Sequence, residues 1–223
     1  ACAAIKNDRP NTKLAYIMTD GGALPLFFSS VVALLKKRGF IDVCISSGHA
    51  FGGDMEAVNL YSGLICARAW GADAAIVAMG PGIVGTDTKY GHTGIEQGEI
   101  INAVTSLQGK PVAIPRISFS DLRERHRGLS HHTITALSVI AKDRAFVVIP
   151  SDMEEEKRIY IDTQIKDSGI DLKHLIATCP GTAGLQFLEK NGIPASTMGR
   201  SIKEDRDYFL SCSAAGHFLT GLL

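Results

Sequence analysis

The chain has 223 residues, of which 45% are hydrophobic and 21% charged, so it can bury a full core and is near the upper size of a single domain. Lysine plus arginine and aspartate plus glutamate each total 23, which gives a formal net charge of zero. This balance argues against the basic surface of a nucleic-acid-binding or membrane-surface protein and favours a small molecule as partner. The apolar stretches are shorter than the roughly 20 residues that a membrane-spanning helix needs, so we expect no membrane segment.

The five cysteines are widely spread and form no C-x-x-C pair. Because the start of the chain also has no signal-peptide pattern, a reduced, cytoplasmic setting is favoured. Residues 1–12 (ACAAIKNDRPNT) are predicted to be a polar lead-in, and Ala1 in place of a methionine indicates an internal or processed start. We expect residues 13–223 to form one domain, and the pattern leaves a homo-oligomer open.

From Lys13 onward, short apolar runs alternate with segments of helical length, which is typical of repeated β-α units and a parallel sheet. Strands are predicted at Leu14–Met18, Val43–Ser46, Ala74–Ala78, Val112–Ile117, Ala145–Ile149, Leu175–Thr178 and, more weakly, Ala195–Met198. Helices are predicted at Leu24–Lys37, Asp54–Trp70, Gly94–Leu107, His131–Lys142, Glu154–Lys166, Ala183–Asn191 and Asp205–Leu219. This order predicts an α/β fold with a doubly wound, mostly parallel sheet of about seven strands and helices on both faces; an α/β barrel is the alternative.

The loops after the first four predicted strands contain most of the unusual polar residues. These loops are Thr19–Pro25, Ser47–Asp54, Met79–Gly94 and Pro115–Thr133. Because ligands of parallel sheets bind at the carboxyl ends of the strands, we expect the first three loops to line one pocket. Their backbone N–H groups are predicted to bind a phosphate or carboxylate at Gly21, Gly48, Gly52, Gly53, Gly80, Gly82, Gly85 and Thr86. The alternative is that each glycine only closes a strand-to-helix turn.

Five of the seven histidines fall in these loops, and several carboxylates accompany them. Imidazole with carboxylate suits a divalent metal such as Zn²⁺, but no fixed ligand spacing is present, so a metal stays open. The candidate metal ligands are His49, Asp54, His92 and Glu96, and the candidates for acid–base chemistry are Asp20, His49, His131 and His132.

Ser130 is predicted to cap a helix that begins at His131, where the helix dipole disfavours the charged imidazole. A neutral histidine at this position can act as a base or as a ligand. The alternative for His131 and His132 is that one packs in the core while the other is solvated.

Arginines precede this histidine pair at Arg116, Arg123, Arg125 and Arg127. Guanidinium groups bind phosphate or carboxylate through two parallel hydrogen bonds. We predict that Arg116, Arg127 and the late Arg200 hold the anion, and that the arginine-rich segment is long enough to act as a lid.

Several longer motifs occur in order along the chain: MTDGGALP, SGHAFGGD, AMGPGIVGT, GIEQGE, RHRGLSHHT and TMGR. Together they resemble an uncharacterised bacterial family, a domain of unknown function, from about Lys13 to Gly216. The resemblance implies no catalytic residues. It does imply an upstream β-rich segment, absent from this chain, which would be a partner of the domain.

These observations lead to two functional hypotheses. The first is an enzyme that acts on a small phosphorylated or carboxylated metabolite at the strand-end loops. The second is a ligand-binding or regulatory module, which would use the same anion site but needs no neutral base within reach of the ligand. The sequence leaves the reaction open.

Overall fold

The computed structural model describes residues 1–80 and 82–223; Pro81, which falls in the predicted loop Met79–Gly94, lies outside the described residues. The larger sheet has four parallel strands: β1 (Leu14–Thr19), β2 (Val43–Ser47), β3 (Met55–Ala57) and β4 (Ala74–Met79). Their order across the sheet is β3-β2-β1-β4, so β1 is central and β4 is an edge.

A second parallel sheet has three strands: β5 (Val112–Ala113), β8 (Phe146–Pro150) and β9 (Leu175–Cys179). Its order is β5-β8-β9, which makes β5 an edge strand. Two short antiparallel pairs complete the strands: β6 (Ile117–Ser118) with β7 (Gly128–Leu129), and β10 (Ser196–Thr197) with β11 (Arg200–Ser201).

The helices connect these strands and cover both faces of the parallel sheets. They are α1 (Cys2–Asp8), α2 (Ser30–Lys37), α3 (Leu60–Trp70), α4 (Glu96–Ser106), α5 (His131–Thr135), α6 (Glu155–Asp167), α7 (Ile170–Lys173), α8 (Thr182–Lys190) and α9 (Arg206–Thr220). Short 3₁₀ turns occupy Leu26–Phe28, Thr93–Ile95 and Glu124–His126, and a π-helical turn, Ala136–Ile140, follows α5 directly.

Successive residues of strand β8 pack against two different helices, one on each face of the sheet. Val147 and Ile149 pack with Ile161 of α6, whereas Val148 between them packs with Ala214 of α9. The three strand residues, Val147, Val148 and Ile149, are all β-branched, which suits a strand that is buried on both faces. The prediction of parallel strands with helices packed on both faces is therefore confirmed for this sheet.

The predicted single sheet of about seven strands does not form. The described residues contain two separate parallel sheets, of four and three strands, and they close no barrel. The predicted strand Val112–Ile117 is interrupted at Ile114–Arg116, between β5 and β6. Pro115 interrupts it because proline has no N–H for the ladder, and its carbonyl accepts a hydrogen bond from Ser211 Oγ at 2.6 Å. The predicted strand Ala195–Met198 shrinks to β10, in an antiparallel pair.

Two of the predicted helices begin several residues later in the structure than the sequence predicted. The helix expected from Asp54 begins at Leu60, because Met55–Ala57 pairs with β2 and Asn59 caps the helix in a reciprocal capping box with Ser62. The predicted helix Leu24–Lys37 begins at Ser30, where Ser29 provides the cap.

The segment predicted as a polar lead-in is instead an ordered part of the fold. Ala3, Ala4 and Ile5 of α1 are buried, and α1 packs on α8 and α9. The prediction of a polar segment at residues 1–12 overlooked these apolar residues. They form one face of a short helix. No helix in the described part of the chain combines the length and apolarity needed to span a membrane.

Candidate metal and anion site

The first part of the candidate site is the start of α5. Ser130 caps this helix, since its Oγ accepts a hydrogen bond from the His132 N–H at 3.3 Å. The same hydroxyl is hydrogen-bonded to His126 Nδ1 at 2.7 Å and is fully buried. The predicted cap is therefore confirmed, and it fixes both His132 and the side chain of His126.

The loop after β4 supplies the third imidazole of the site, that of His92. Gly85 pairs with His92 in an antiparallel bridge, and the Thr86 N–H donates to the Gly91 carbonyl at 2.7 Å. His92 Nε2 lies 3.1 Å from the Lys89 carbonyl, which can only accept, so Nε2 carries the proton. The lone pair of His92 Nδ1 is consequently free for another partner.

Four histidine rings meet where these two segments come together. The ring centroid of His132 lies 4.1 Å from those of both His92 and His131, and 4.9 Å from that of His126. One ring nitrogen from each of His92, His131 and His132 lies within 4.8 Å of the other two. We call these three residues the histidine cluster.

Two nitrogens of the histidine cluster are buried without a hydrogen-bond partner. They are His92 Nδ1 and His131 Nε2. A buried polar atom without a partner costs about 1–3 kcal/mol, so it usually has a role other than stability. A bound metal ion would supply the missing partner for both atoms.

The imidazoles are held neutral. Burial, followed by the charges of neighbouring histidines and of Arg116, lowers the pKa of His132 to about 3. Burial, with Arg116 and Arg123, lowers the pKa of His126 to about 4, and burial also lowers the pKa of His92 and of His131. The direction agrees with the sequence prediction, but burial rather than the helix dipole is its main cause. A neutral imidazole is the form that binds a metal.

An arginine–carboxylate network borders the cluster. Asp121 accepts hydrogen bonds from Arg123 Nε at 3.0 Å and from Arg116 at 2.9 Å. Its side chain is 4% exposed, and the two guanidinium groups hold the pKa of its carboxyl well below the usual range. Arg116 Nη1 is buried and makes no hydrogen bond. The guanidinium lies near the histidines, since its charge lowers the pKa of both His126 and His132.

The other two predicted anion-binding arginines have partners within the protein. The guanidinium of Arg127 lies over the rings of Phe119 and Tyr160, at 6.0 Å and 5.9 Å from their centroids. Arg200 pairs with the buried Asp205 at 3.0 Å, and Asp205 also accepts a hydrogen bond from Ser118 Oγ. Arg200 Nη2 is also buried without a hydrogen bond, but it lies 3.0 Å from the Asp205 carboxylate, whereas Arg116 pairs with Asp121 through Nη2 and leaves the buried Nη1 without a partner.

The predicted metal ligands do not come together as a set. His92 joins the histidine cluster, but His49, Asp54 and Glu96 belong to no metal-sized group within the described residues. Asp54 pairs with Lys36 and accepts from the Cys44 N–H, so it ties β2 to the start of β3. Glu96 accepts from Thr19 Oγ1 at 2.9 Å, and burial raises the pKa of its carboxyl.

Asp20 and His49 meet where β1 and β2 end, and neither belongs to the histidine cluster. The Asp20 carboxylate accepts from the His49 backbone N–H at 3.2 Å, and the His49 side chain is exposed. Of the four predicted acid–base residues, the structure therefore places His131 and His132 together and Asp20 and His49 together, in two groups.

Several of the predicted anion-binding glycines already donate their N–H groups within the protein. Gly48 donates to the Ala57 carbonyl, Gly52 to Glu56 Oε1 and Gly53 to Ser46 Oγ. Gly82 donates to the Met79 carbonyl at 3.4 Å. Gly21 and Gly80 are close-packing positions, since a Cβ would run into the side chains of Met79 and Met18 respectively. An anion at these loops stays a prediction.

His126, Asp121 and Asp205 are the site residues that were not selected from the sequence. His126 was one histidine among five in the loops, and only its bond to Ser130 distinguishes it. Asp121 and Asp205 lie far apart in sequence, and Arg200 connects them: its guanidinium is 3.0 Å from Asp205 and 3.7 Å from Asp121. The only sequence signal for Asp121 is its position next to an arginine-rich run.

The fold and the site together define a class: an α/β protein with parallel sheets, in which strand-end segments assemble neutral histidines beside an arginine network. The chain belongs to a family described as a protein of unknown function, DUF3866, whose model matches residues 1–216. No curated protein and no solved structure matches the chain. The resemblance drawn from the motifs is thereby confirmed.

Proposed function

We propose that this protein is a metal-dependent enzyme that acts on a small anionic metabolite. His92, His131 and His132 would bind a divalent transition metal, and Arg116 would bind the phosphate or carboxylate of the substrate. The observation that carries this proposal is that one ring nitrogen from each of these histidines lies within 4.8 Å of the other two, in a cluster that also holds two buried nitrogens without a hydrogen-bond partner.

Three histidines are a known ligand set for catalytic zinc, which keeps its fourth position open for water or substrate. Zinc lies about 2.0–2.1 Å from each imidazole nitrogen, so binding would draw the three nitrogens to about 3.4 Å from one another in a tetrahedral site. Small rotations of the three rings, which already lie in contact, would be sufficient. The metal would polarise a carbonyl or phosphoryl oxygen and lower the pKa of bound water, which is the chemistry of hydrolysis.

Arg116 supports the anionic character of the substrate. Its Nη2 is bound by Asp121, which leaves the buried Nη1 available. A charge-assisted hydrogen bond from this donor would hold one anionic oxygen beside the metal. The Asp121 carboxylate keeps the guanidinium in place, so the donor would be preorganised.

Zinc titration by calorimetry tests the metal site. The unmodified protein should bind one Zn²⁺, and His131→Gln and His92→Gln should each weaken that binding by at least about 100-fold. His49→Gln is the matched control, because His49 is exposed and lies outside the histidine cluster. Equal zinc affinity in all four proteins would contradict the proposal.

Thermal unfolding of the zinc-loaded protein tests the anion. An anion that binds only the native state stabilises it by about 2.7 kcal/mol at a hundredfold excess over Kd. Phosphate or sulfate should therefore raise Tm more than chloride at matched ionic strength, and Arg116→Lys should reduce the difference. Identical shifts with all three salts would remove the anion from the proposal. A non-catalytic binding module would show the same stabilisation but no hydrolysis of phosphate or carboxylate esters.

A further inference from the structure

A cavity of about 520 Å³ lies between the two parallel sheets. Both edge strands that could face it, β4 and β5, have a single strand neighbour within the described residues. Each strand edge therefore has backbone N–H and C=O groups that no neighbouring strand pairs. Such groups require partners when they are enclosed.

The lining of the cavity shows that it borders strand edges rather than strand faces. Residues 73–77, at and before β4, line it without interruption, and so do residues 109–115 around β5. Side chains of a strand alternate between its two faces, so a cavity beside one face would contact every second residue. Contact with consecutive residues on both sides indicates a slot between two edges.

Helices close the slot on both sides of the sheet plane. Ile100, Ile101 and Val104 of α4 line it, and so do Ala215 and Leu219 of α9. This surrounding is what a buried parallel strand has: a strand neighbour at each edge and apolar helices over each face.

We propose that the slot binds an extended peptide strand from another polypeptide, which adds a strand between β4 and β5. The peptide would pair its backbone with both edges, and small or β-branched apolar side chains would face the two helical layers. The occupied slot would join the two sheets into one continuous sheet. His132 of the histidine cluster also lines the cavity, but the pairing of a strand with β4 and β5 uses backbone groups and does not depend on a bound metal.

A strand fits the slot better than a hydrocarbon ligand does. An alkyl chain would cover the apolar side chains of the helices but would leave the backbone groups of both edges without partners, which is costly in an enclosed site. A peptide strand satisfies both requirements at once.

The test uses a neutral peptide, acetyl-Val-Thr-Val-Ala-Val-amide, and the same peptide N-methylated at alternate residues. Methylation removes backbone donors and keeps the side chains, so it should weaken binding measured by calorimetry at least about tenfold. Val104→Trp on α4 should also abolish binding by filling the slot, and Leu219→Trp does so from the opposite wall if the first variant fails to fold. Gln186→Trp, on the exposed side of α8, is the matched control and should bind the peptide normally.

Three results would overturn the proposal. Equal binding of the methylated and unmethylated peptides would exclude strand pairing. Tighter binding of decanoate than of the peptide, lost in Val104→Trp, would assign the slot to a hydrocarbon chain. A stable dimer by light scattering, in which Val104→Trp is monomeric, would assign it to a second copy of this chain.

Discussion

The imidazole rings of His92 and His132 lie 4.1 Å apart between centroids and are tilted by only 31°, although they come from two different strand-end segments. Two charged imidazoles would repel each other at this distance, and the charge of His92 lowers the pKa of His132 in addition to burial. The close approach is therefore stable only while the rings are neutral or share a metal ion.

The pH dependence of stability should report this arrangement. An ordinary histidine titrates near 6.5, but the pKa of His132 in the folded protein is about 3, so the unfolded chain binds more protons between these values. The stability provided by the neutral imidazole is complete above pH 6.5 and is lost progressively as the pH falls toward 3. Each such histidine contributes a slope of at most about 1.4 kcal/mol per pH unit. Metal-free His132→Gln should lose less stability than the unmodified protein between pH 6.5 and 4.5, measured by urea unfolding. His49→Gln is the control, and a slope unchanged in His132→Gln would show that the ring is not held neutral by burial.

Ser130→Ala should destabilise the protein by about 1–2 kcal/mol. The substitution removes the cap of α5 and also leaves the buried His126 Nδ1 without its partner. Ser106→Ala is the matched control, because Ser106 Oγ donates only to the Asn102 carbonyl on the exposed side of α4 and should cost less than about 0.5 kcal/mol. Chemical denaturation of both variants measures the loss in free energy of unfolding. Equal losses would mean that the hydrogen bonds of Ser130 do not stabilise the site.

Asp121→Asn should be much more harmful than Asp87→Asn, although each removes a carboxylate paired with arginine. Asp121 is almost fully enclosed and pairs with Arg116 and Arg123, so breaking the network should cost about 3 kcal/mol. Asp87 pairs with Arg125 at 2.6 Å, but its side chain is 79% exposed, and such surface pairs contribute about 0–1 kcal/mol. Trypsin cleavage after Arg123, Arg125 or Arg127 should accelerate only in the Asp121 variant. Similar unfolding free energies for the two variants would contradict the prediction.

Gly98→Ala should destabilise the protein even though alanine is the better helix former. Gly98 of α4 packs against the π-helical turn, and a Cβ there would lie 2.6 Å from the Ala136 carbonyl oxygen. Such overpacking costs about 1–3 kcal/mol. Gly63→Ala on α3 is the control, since its Cβ would be 3.4 Å from the nearest side-chain atom; it should be neutral or gain up to about 1 kcal/mol. Thermal unfolding compares the two, and a stable Gly98→Ala would show that the π-helical turn can move away.

The sequence by itself determined the local elements of the fold. Strands β1, β2, β4, β8 and β9 follow from short apolar runs, and β1, β2 and β8 are buried at nearly every position, as strands covered on both faces are. The cap at Ser130 is likewise local, since it needs only a hydroxyl before the first turn of a helix. The lowered pKa predicted for His131 and His132 had the right direction, but its main cause is burial, which the tertiary structure supplies.

Only the tertiary structure decided which distant residues meet. His92 joins His131 and His132, while His49 and Asp54 do not, because no spacing in the sequence records which of the separate loops fold together. The tertiary structure likewise decided that β4 and β5 do not pair with each other. The residues of both strands fit a continuous sheet equally well, so the opening between them depends on how α4 and α9 pack above and below.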